Sequence, residues 1–325
     1  LVDLFLRGAE AAVRMTVFSV RHITTYSYAK PVAFGRHKLM FRPRDSYDQT
    51  LLEATLRVDP EPSDIRWIHD VFGNCVAVVD IARKAAELRF ETRIRLDHTP
   101  HAMPDLQVDD EALTYPFTYD PDEAVDLART IERHYPDEAD EVARWAKRFV
   151  NIGHPTETGT LLMTMCYAIH EGFAYARRTA PGTQSPQTTL RLRRGTCRDF
   201  ALLMMEAVRS LGFAARFVTG YIYVSGRDGP AMLGGGATHA WCQVYLPGAG
   251  WVEFDPTNGI VGSRDLIRVA VARDPRQAIP LWGNYIGAAT DALGMTVQVN
   301  VTTDKARHES RAHARELSDV HDVVG

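Results

Sequence analysis

Two hydrophobic rhythms divide the chain. From about Thr16 to Thr99, apolar and β-branched residues recur in short, often alternating runs: "FSVRHITTYSY", "HKLMFRP", "LLEATLRVDP", "NCVAVVDIA" and "LRFETRIRL". Pro, Gly, Asp and Asn separate them, so the pattern predicts strands and an all-β module over 16–100. The next stretch, "HTPHAMPDLQVDDEALTYPFTYDPD", is rich in proline and acids and has little periodicity. It predicts a linker over 101–120.

Helical spacing follows. "PDEADEVARWAKRFV" has acids early, bases late and an apolar face, and "TGTLLMTMCYAIHEGFAY" comes after a Gly/Pro break. A polar loop, "ARRTAPGTQSPQTTLRLRRG", leads to the strongest helix signal, "GTCRDFALLMMEAVRSLG" at 195–212. There Phe200, Leu203, Met204, Ala207, Val208 and Leu211 form one apolar stripe. Thr196 is a favoured N-cap, Asp199 completes an acidic variant of the capping box, and Gly212 stands where a left-handed cap ends the helix. Beyond it "FAARFVTGYIYV", "THAWCQVYL", "GWVEFD", "LIRVAVARD" and "MTVQVNVTT" predict strands. Helices followed by an antiparallel sheet make 121–303 an α+β domain. Residues 1–15 read as an N-terminal extension, with Met15 a natural start. Residues 304–325 read as a polar, frayed helical tail whose His308, His313 and His321 are solvated.

Composition narrows the function. The 325 residues are 45% hydrophobic and 24% charged with a net charge of −4. The basic cluster "RLRRG" is short, so neither nucleic acid nor an anionic membrane is an expected partner. No apolar run reaches the eighteen or so residues of a membrane span. Cys75, Cys166, Cys197 and Cys242 lie far apart with no C-x-x-C pair, which predicts neither a zinc knuckle nor a dithiol motif and suits a reducing, cytoplasmic setting.

Cys197 is the residue whose position suggests chemistry. It falls in the first turn of its helix, where unpaired N–H groups and the helix dipole favour a thiolate. A thiolate nucleophile needs a base and the base needs an orienting partner. His239 in "THAWCQVYL" and Asp255 in "GWVEFDPTNG" offer both. A hairpin loop of about five residues centred on Pro247 would set the two opposite each other on paired strands. Trp241 and Gln243 share the strand face of His239, so Trp241 either lines the cleft or packs over the imidazole. "SGRDGPAMLGGGA" at 225–237 has the glycine content of a flap before His239, whether lid or plain connection. "DPTN" is a turn signal first and a substrate contact second.

The segments "GTCRDFA", "LGFAARFVTGY" and "THAWCQVYLPGAGWVEFDPTNG" resemble the bacterial transglutaminase-like proteins, a papain-like superfamily. "TTYSYAKPVAFGRHKLMFRPR" and "DVFGNCVAVVDI" resemble the β-rich N-terminal module that accompanies this core, so the resemblance spans about 17–302. It implies a papain-like transglutaminase core behind an all-β domain, with Cys197 as nucleophile, His239 as general acid/base and Asp255 as orienter. It also implies acyl transfer on peptide or protein amides through a thioester. Water as acceptor gives a peptidase or amidase, which the abundance of water favours; an amine gives a transglutaminase. A binding or scaffold protein on the same fold is the rival. No cofactor is required, and no acidic loop of the kind that binds calcium is present. No tryptophan stands between Trp145 and Cys197 to serve as the oxyanion donor of animal relatives. The backbone N–H of Cys197 is then one expected donor, with Tyr175, Gln184 and Gln187 as candidates for the other.

Overall fold

A computed structural model describes residues 16–99, 107–176, 178, 182–224 and 237–303. The expected extension 1–15, the tail 304–325 and all of the expected flap except Ala237 lie outside the described residues.

The strands of the first hundred residues form two antiparallel sheets. One has β1 (Thr16–Phe34) beside β6 (Ala85–His98), which pairs in turn with β3 (Gln49–Asp59). The other has β2 (His37–Leu39), β5 (Cys75–Asp80) and β4 (Asp64–His69) in that order. Tyr28, Phe34, Leu88 and Phe90 of the first sheet bury against Leu39, Ala77 and Val79 of the second. This sandwich is the all-β module that alternation predicts. β4 is the strand the reading missed; it is an edge strand whose Trp67 and Ile68 are exposed, so it lacks a buried face to set its period.

Five α-helices follow among the described residues: α1 (Pro121–Ile131), α2 (Glu141–Lys147), α3 (Thr158–Gly172), α4 (Pro186–Leu192) and α5 (Cys197–Arg209). α1 starts where Asp120 caps and Pro121 takes the first position. α4 lies within the segment expected to be a loop, capped by Ser185 with Pro186 at its start. The antiparallel sheet behind them runs from a two-residue strand Ile260–Val261 through β9 (Gly250–Asp255), β8 (His239–Leu246) and β7 (Ala215–Ile222) to β10 (Leu266–Ala272). α5 packs on the face carrying Phe217, Ala240, Cys242, Val244 and Phe254.

α5 is more deeply enclosed than a one-sided stripe implies. Its polar residues Glu206 and Arg209 are buried as well, paired at 2.8 Å. Glu206 accepts the His134 and Tyr135 N–H groups, and Arg209 donates to the carbonyls of Thr130, Ala215 and Arg273. With every partner filled, the pair ties the helix to the segments on either side.

Two expected boundaries differ from the structure. The last strand, β11 (Ala292–Thr303), pairs with β1 from Phe18↔Thr303 to Tyr28↔Ala292, so the chain end of the 121–303 segment belongs to the N-terminal sheet. The described part of the 101–120 linker is packed: Asp109 N–H bonds the Pro247 carbonyl, and the Tyr119 hydroxyl donates to Tyr245 O and accepts Ala214 N–H. Phe18, Val20, Ile94 and Leu96 share a core with Tyr221, Ile267 and Val269, so the sandwich and the sheet of β7–β10 are packed as one body.

Candidate active site

Cys197 is the first residue of α5 and its side chain is buried. Thr196 Oγ1 accepts the Asp199 N–H at 3.4 Å and Asp199 Oδ2 accepts the Thr196 N–H at 2.8 Å, the capping box expected from the sequence. Fully buried, Asp199 also accepts from the Gln184 N–H at 2.7 Å and from Arg178 Nε at 3.2 Å. The cap therefore anchors the preceding loop as well as the helix. A Cβ on Gly195 would lie 2.9 Å from Asp199 Cβ, so glycine is what lets the chain pass. A two-residue parallel ladder sets Tyr175 beside Gly195, two positions before the cysteine.

His239 begins β8 and Asp255 ends β9, which brings both to one end of the sheet. His239 Nε2 and Asp255 Oδ2 are 2.8 Å apart and both side chains are fully buried. The hairpin does not set them directly opposite. Leu246 pairs with Gly250 and Cys242 with Phe254, so the ladder is centred on Gly248 and its continuation would set Asp255 against Trp241. The turn has three residues rather than five, with Gly248 and Gly250 at positive φ. Because the offset is two positions, both side chains stay on one face and meet diagonally.

The Asp255 carboxylate is saturated by its own turn. Its Oδ1 accepts the Thr257 N–H at 2.9 Å, while Asn258 Nδ2 donates to Oδ2 at 2.8 Å and lies 3.4 Å from His239 Nε2. His170 on α3 holds that turn through a 2.8 Å contact between Nδ1 and the Thr257 carbonyl. Nε2 of His239 is thus occupied, which leaves Nδ1, buried, as the ring nitrogen available to Cys197.

Electrostatics place a proton on that ring. Burial opposes the charged imidazole, but the Asp255 carboxylate, through charge and hydrogen bond, and then Cys197 outweigh it and hold His239 above its ordinary range. Asp255 shows the reciprocal: burial pushes it up, and the His239 charge with the surrounding donors brings it below the ordinary carboxylate value. Trp241 is fully buried, its ring stacked on His239 at 5.9 Å and 28°, so it packs over the imidazole instead of lining an open cleft. Gly220 makes room for it, because a Cβ there would lie 2.9 Å from Trp241 Cη2 and 2.0 Å from the Ile267 carbonyl.

The structure thus gathers Cys197, His239 and Asp255, stacks Trp241 on the imidazole, and disposes the other candidates differently. Gln184 spends its amide nitrogen on the Arg194 carbonyl at 2.9 Å and on Thr189 Oγ1 at 3.5 Å. Gln187 turns to Asp137 Oδ1 at 3.0 Å. Tyr175 stays next to the cysteine segment. Asn258 was not singled out in the sequence, although its "DPTN" motif carries the signal: an acid whose own chain turns back, so that the residue two positions on donates its N–H and the third its side chain.

Known families match both halves of this architecture. The bacterial transglutaminase-like N-terminal region matches residues 18–97, and the transglutaminase-like superfamily matches residues 128–256, the segment that holds Cys197, His239 and Asp255. Residues 128–256 thus carry a transglutaminase-like core, behind the N-terminal region found with it in bacteria. An uncharacterized protein of Mycobacterium tuberculosis is 27% identical over 299 residues, covering 87% of this chain and 92% of its own. One of Mycobacterium leprae is 28% identical over 301 residues, covering 86% and 97%. Among solved structures, a candidate cysteine protease from Cytophaga hutchinsonii superimposes with a TM-score of 0.67 at 20% identity, covering 90% of this chain and 91% of that one. That likeness shows the shared fold of this transglutaminase-like chain, sandwich included.

Proposed function

We propose that this transglutaminase-like chain hydrolyses amide or peptide bonds through a thioester on Cys197, with His239 as general acid and base and Asp255 as its orienter. The observation that carries this reading is the buried imidazole, fixed on one nitrogen by Asp255 and leaving the other toward the cysteine at a helix N-terminus. In the first step Sγ bonds to the carbonyl carbon, the C–N bond breaks, and the proton on His239 Nδ1 goes to the departing amine. Water then attacks the thioester, gives a proton to His239 and releases the acid and the Cys197 sulfur. The Cys197 N–H, a first-turn donor without an intrahelical partner, faces the developing oxyanion together with a donor from the Tyr175 segment.

The triad serves an amine acceptor equally well, so the deciding experiment offers both acceptors. A panel of glutamine-containing peptides is incubated with the protein and a labelled primary amine, with Cys197→Ala as control, and products are read by mass spectrometry. Cleaved or deamidated peptide without label, formed only by the intact protein, is the expected result. Label in the peptide would replace hydrolysis with transamidation. Products equal to those of Cys197→Ala would remove cysteine catalysis and leave a binding protein on this fold.

A further inference from the structure

A pocket of about 340 Å³ opens where the sandwich meets the sheet of β7–β10, at the end away from His239. The segment from Arg44 to Tyr47 and the turn with Phe72 form one wall, and Arg216, Trp251 and Arg268 form the other. It lies on the His239 face of the sheet but not at the site. Gln243 is four residues along β8 from His239, which is about 13 Å of extended strand.

The charges in this pocket are unevenly satisfied. Behind the wall, Asp48 is engaged by Arg268 and Ser46 and Glu253 by Arg268 and Gln243, while Asp45, which lines the pocket, accepts the Leu51 N–H. Arg268 spends its guanidinium on Asp48, Glu253 and Ser46. Arg216 differs. Its Nε donates to Gln243 Oε1 at 2.6 Å and its guanidinium carbon lies 4.1 Å from the Trp251 ring centroid, yet its two NH2 groups have no acceptor among the described residues. Arg44, across the pocket, has neither an ion pair nor a side-chain hydrogen bond among them. Burial, and then the neighbouring Arg268 charge, pull the Arg216 guanidinium below its usual value, so the cation sits where an anion would relieve it.

We infer that this pocket binds a small ligand bearing an oxyanion on a flat apolar body, the oxyanion held by the Arg216 fork and Arg44 and the body against Trp251 and Phe72. A guanidinium fixed at Nε and open at both NH2 groups presents the parallel donors that carboxylates and phosphates accept. The indole beside it offers an apolar wall, and the pocket volume suits a ring-sized molecule. Such a ligand touches both the sandwich and the sheet, so binding stabilises the folded chain.

The test is a thermal-shift and calorimetric titration of the full chain with benzoate, phenyl phosphate and the neutral analogue benzyl alcohol. Saturable binding of at least one anion is expected, with benzyl alcohol inert; benzoate against phenyl phosphate decides between a carboxylate and a phosphate ester. Arg44→Met, at an exposed position that leaves the fold intact, and Arg216→Met, which keeps the apolar stem on Trp251, should each weaken binding about tenfold or more. Equal binding of benzyl alcohol, absence of binding by both anions, or unchanged affinity in Arg44→Met and in a folded Arg216→Met would overturn the assignment.

Discussion

His239 is held as a charged ring in a place that penalises charge. Its proton stays on because the Asp255 carboxylate, 2.8 Å away, outweighs the cost of burial, and because Thr257 and Asn258 keep that carboxylate aimed. Replacing Asp255 with Asn removes the charge that offsets burial, so the alkaline limb of kcat/KM should move to lower pH, with turnover falling by orders of magnitude. A limb unchanged in Asp255→Asn would show that another group sets it. Of the oxyanion candidates, Tyr175 and Gln184 stand beside the cysteine segment, but the Gln184 amide nitrogen is already spent on Arg194 and Thr189, so Tyr175→Phe should cut kcat by about a hundredfold at unchanged thermal stability if its hydroxyl is the second donor. A kcat within a few-fold of the parent would return that role to the backbone. The motifs made Cys197, His239 and Asp255 legible in the chain. Their exact meeting was less so, because loop length sets register and "PGAG" does not announce that three residues make the turn; parity survived the error, and with it the shared face.

The elements that sequence periodicity captured are those with one buried side. β4 is an exposed edge and α4 a short helix, each without a repeating apolar face, whereas α1 carries one in Ala124, Leu127 and Ile131 and was hidden because it begins inside the proline- and acid-rich stretch; the Asp120-Pro121 and Ser185-Pro186 pairs were the available start signals. α5 was legible at its caps and misjudged around its girth, since Glu206 and Arg209 look like a solvated face and are instead buried and fully bonded. At this scale β7 is the element with least tolerance. Gly220→Ala would drive a methyl into the Ile267 carbonyl and the Trp241 ring, at a cost of about 1–3 kcal/mol, and should disturb the stack over His239. Urea unfolding checks the first effect; a midpoint equal to the parent's would contradict it.

Across the whole molecule, the sandwich and the sheet of β7–β10 share one core, and β11 returns to β1 after that sheet is complete. The pattern of "MTVQVNVTT" announces a strand without saying which sheet takes it, because pairing is decided by free edges that only the fold creates. A histidine lies in this junction: His22 contacts the Tyr221 hydroxyl at 3.0 Å and Thr24 Oγ1 at 3.0 Å, and burial lowers it from 6.5 to about 4. Since the unfolded chain binds that proton more readily, stability is full above about pH 6.5 and declines as pH falls toward 4, by about 3 kcal/mol from this group. Denaturant midpoints across that range should fall less steeply in His22→Gln than in the parent; parallel curves would assign the acid sensitivity elsewhere.

The central claim is that Cys197 carries the acyl group in turnover. Rapid quenching of the protein with a cleavable peptide amide, followed by mass spectrometry of the segment bearing Cys197, tests it most directly. The account predicts an acyl adduct on Cys197 that appears within the first turnover, decays to free acid and is absent in Cys197→Ala. Peptide consumed at the parent's rate by Cys197→Ala would contradict it.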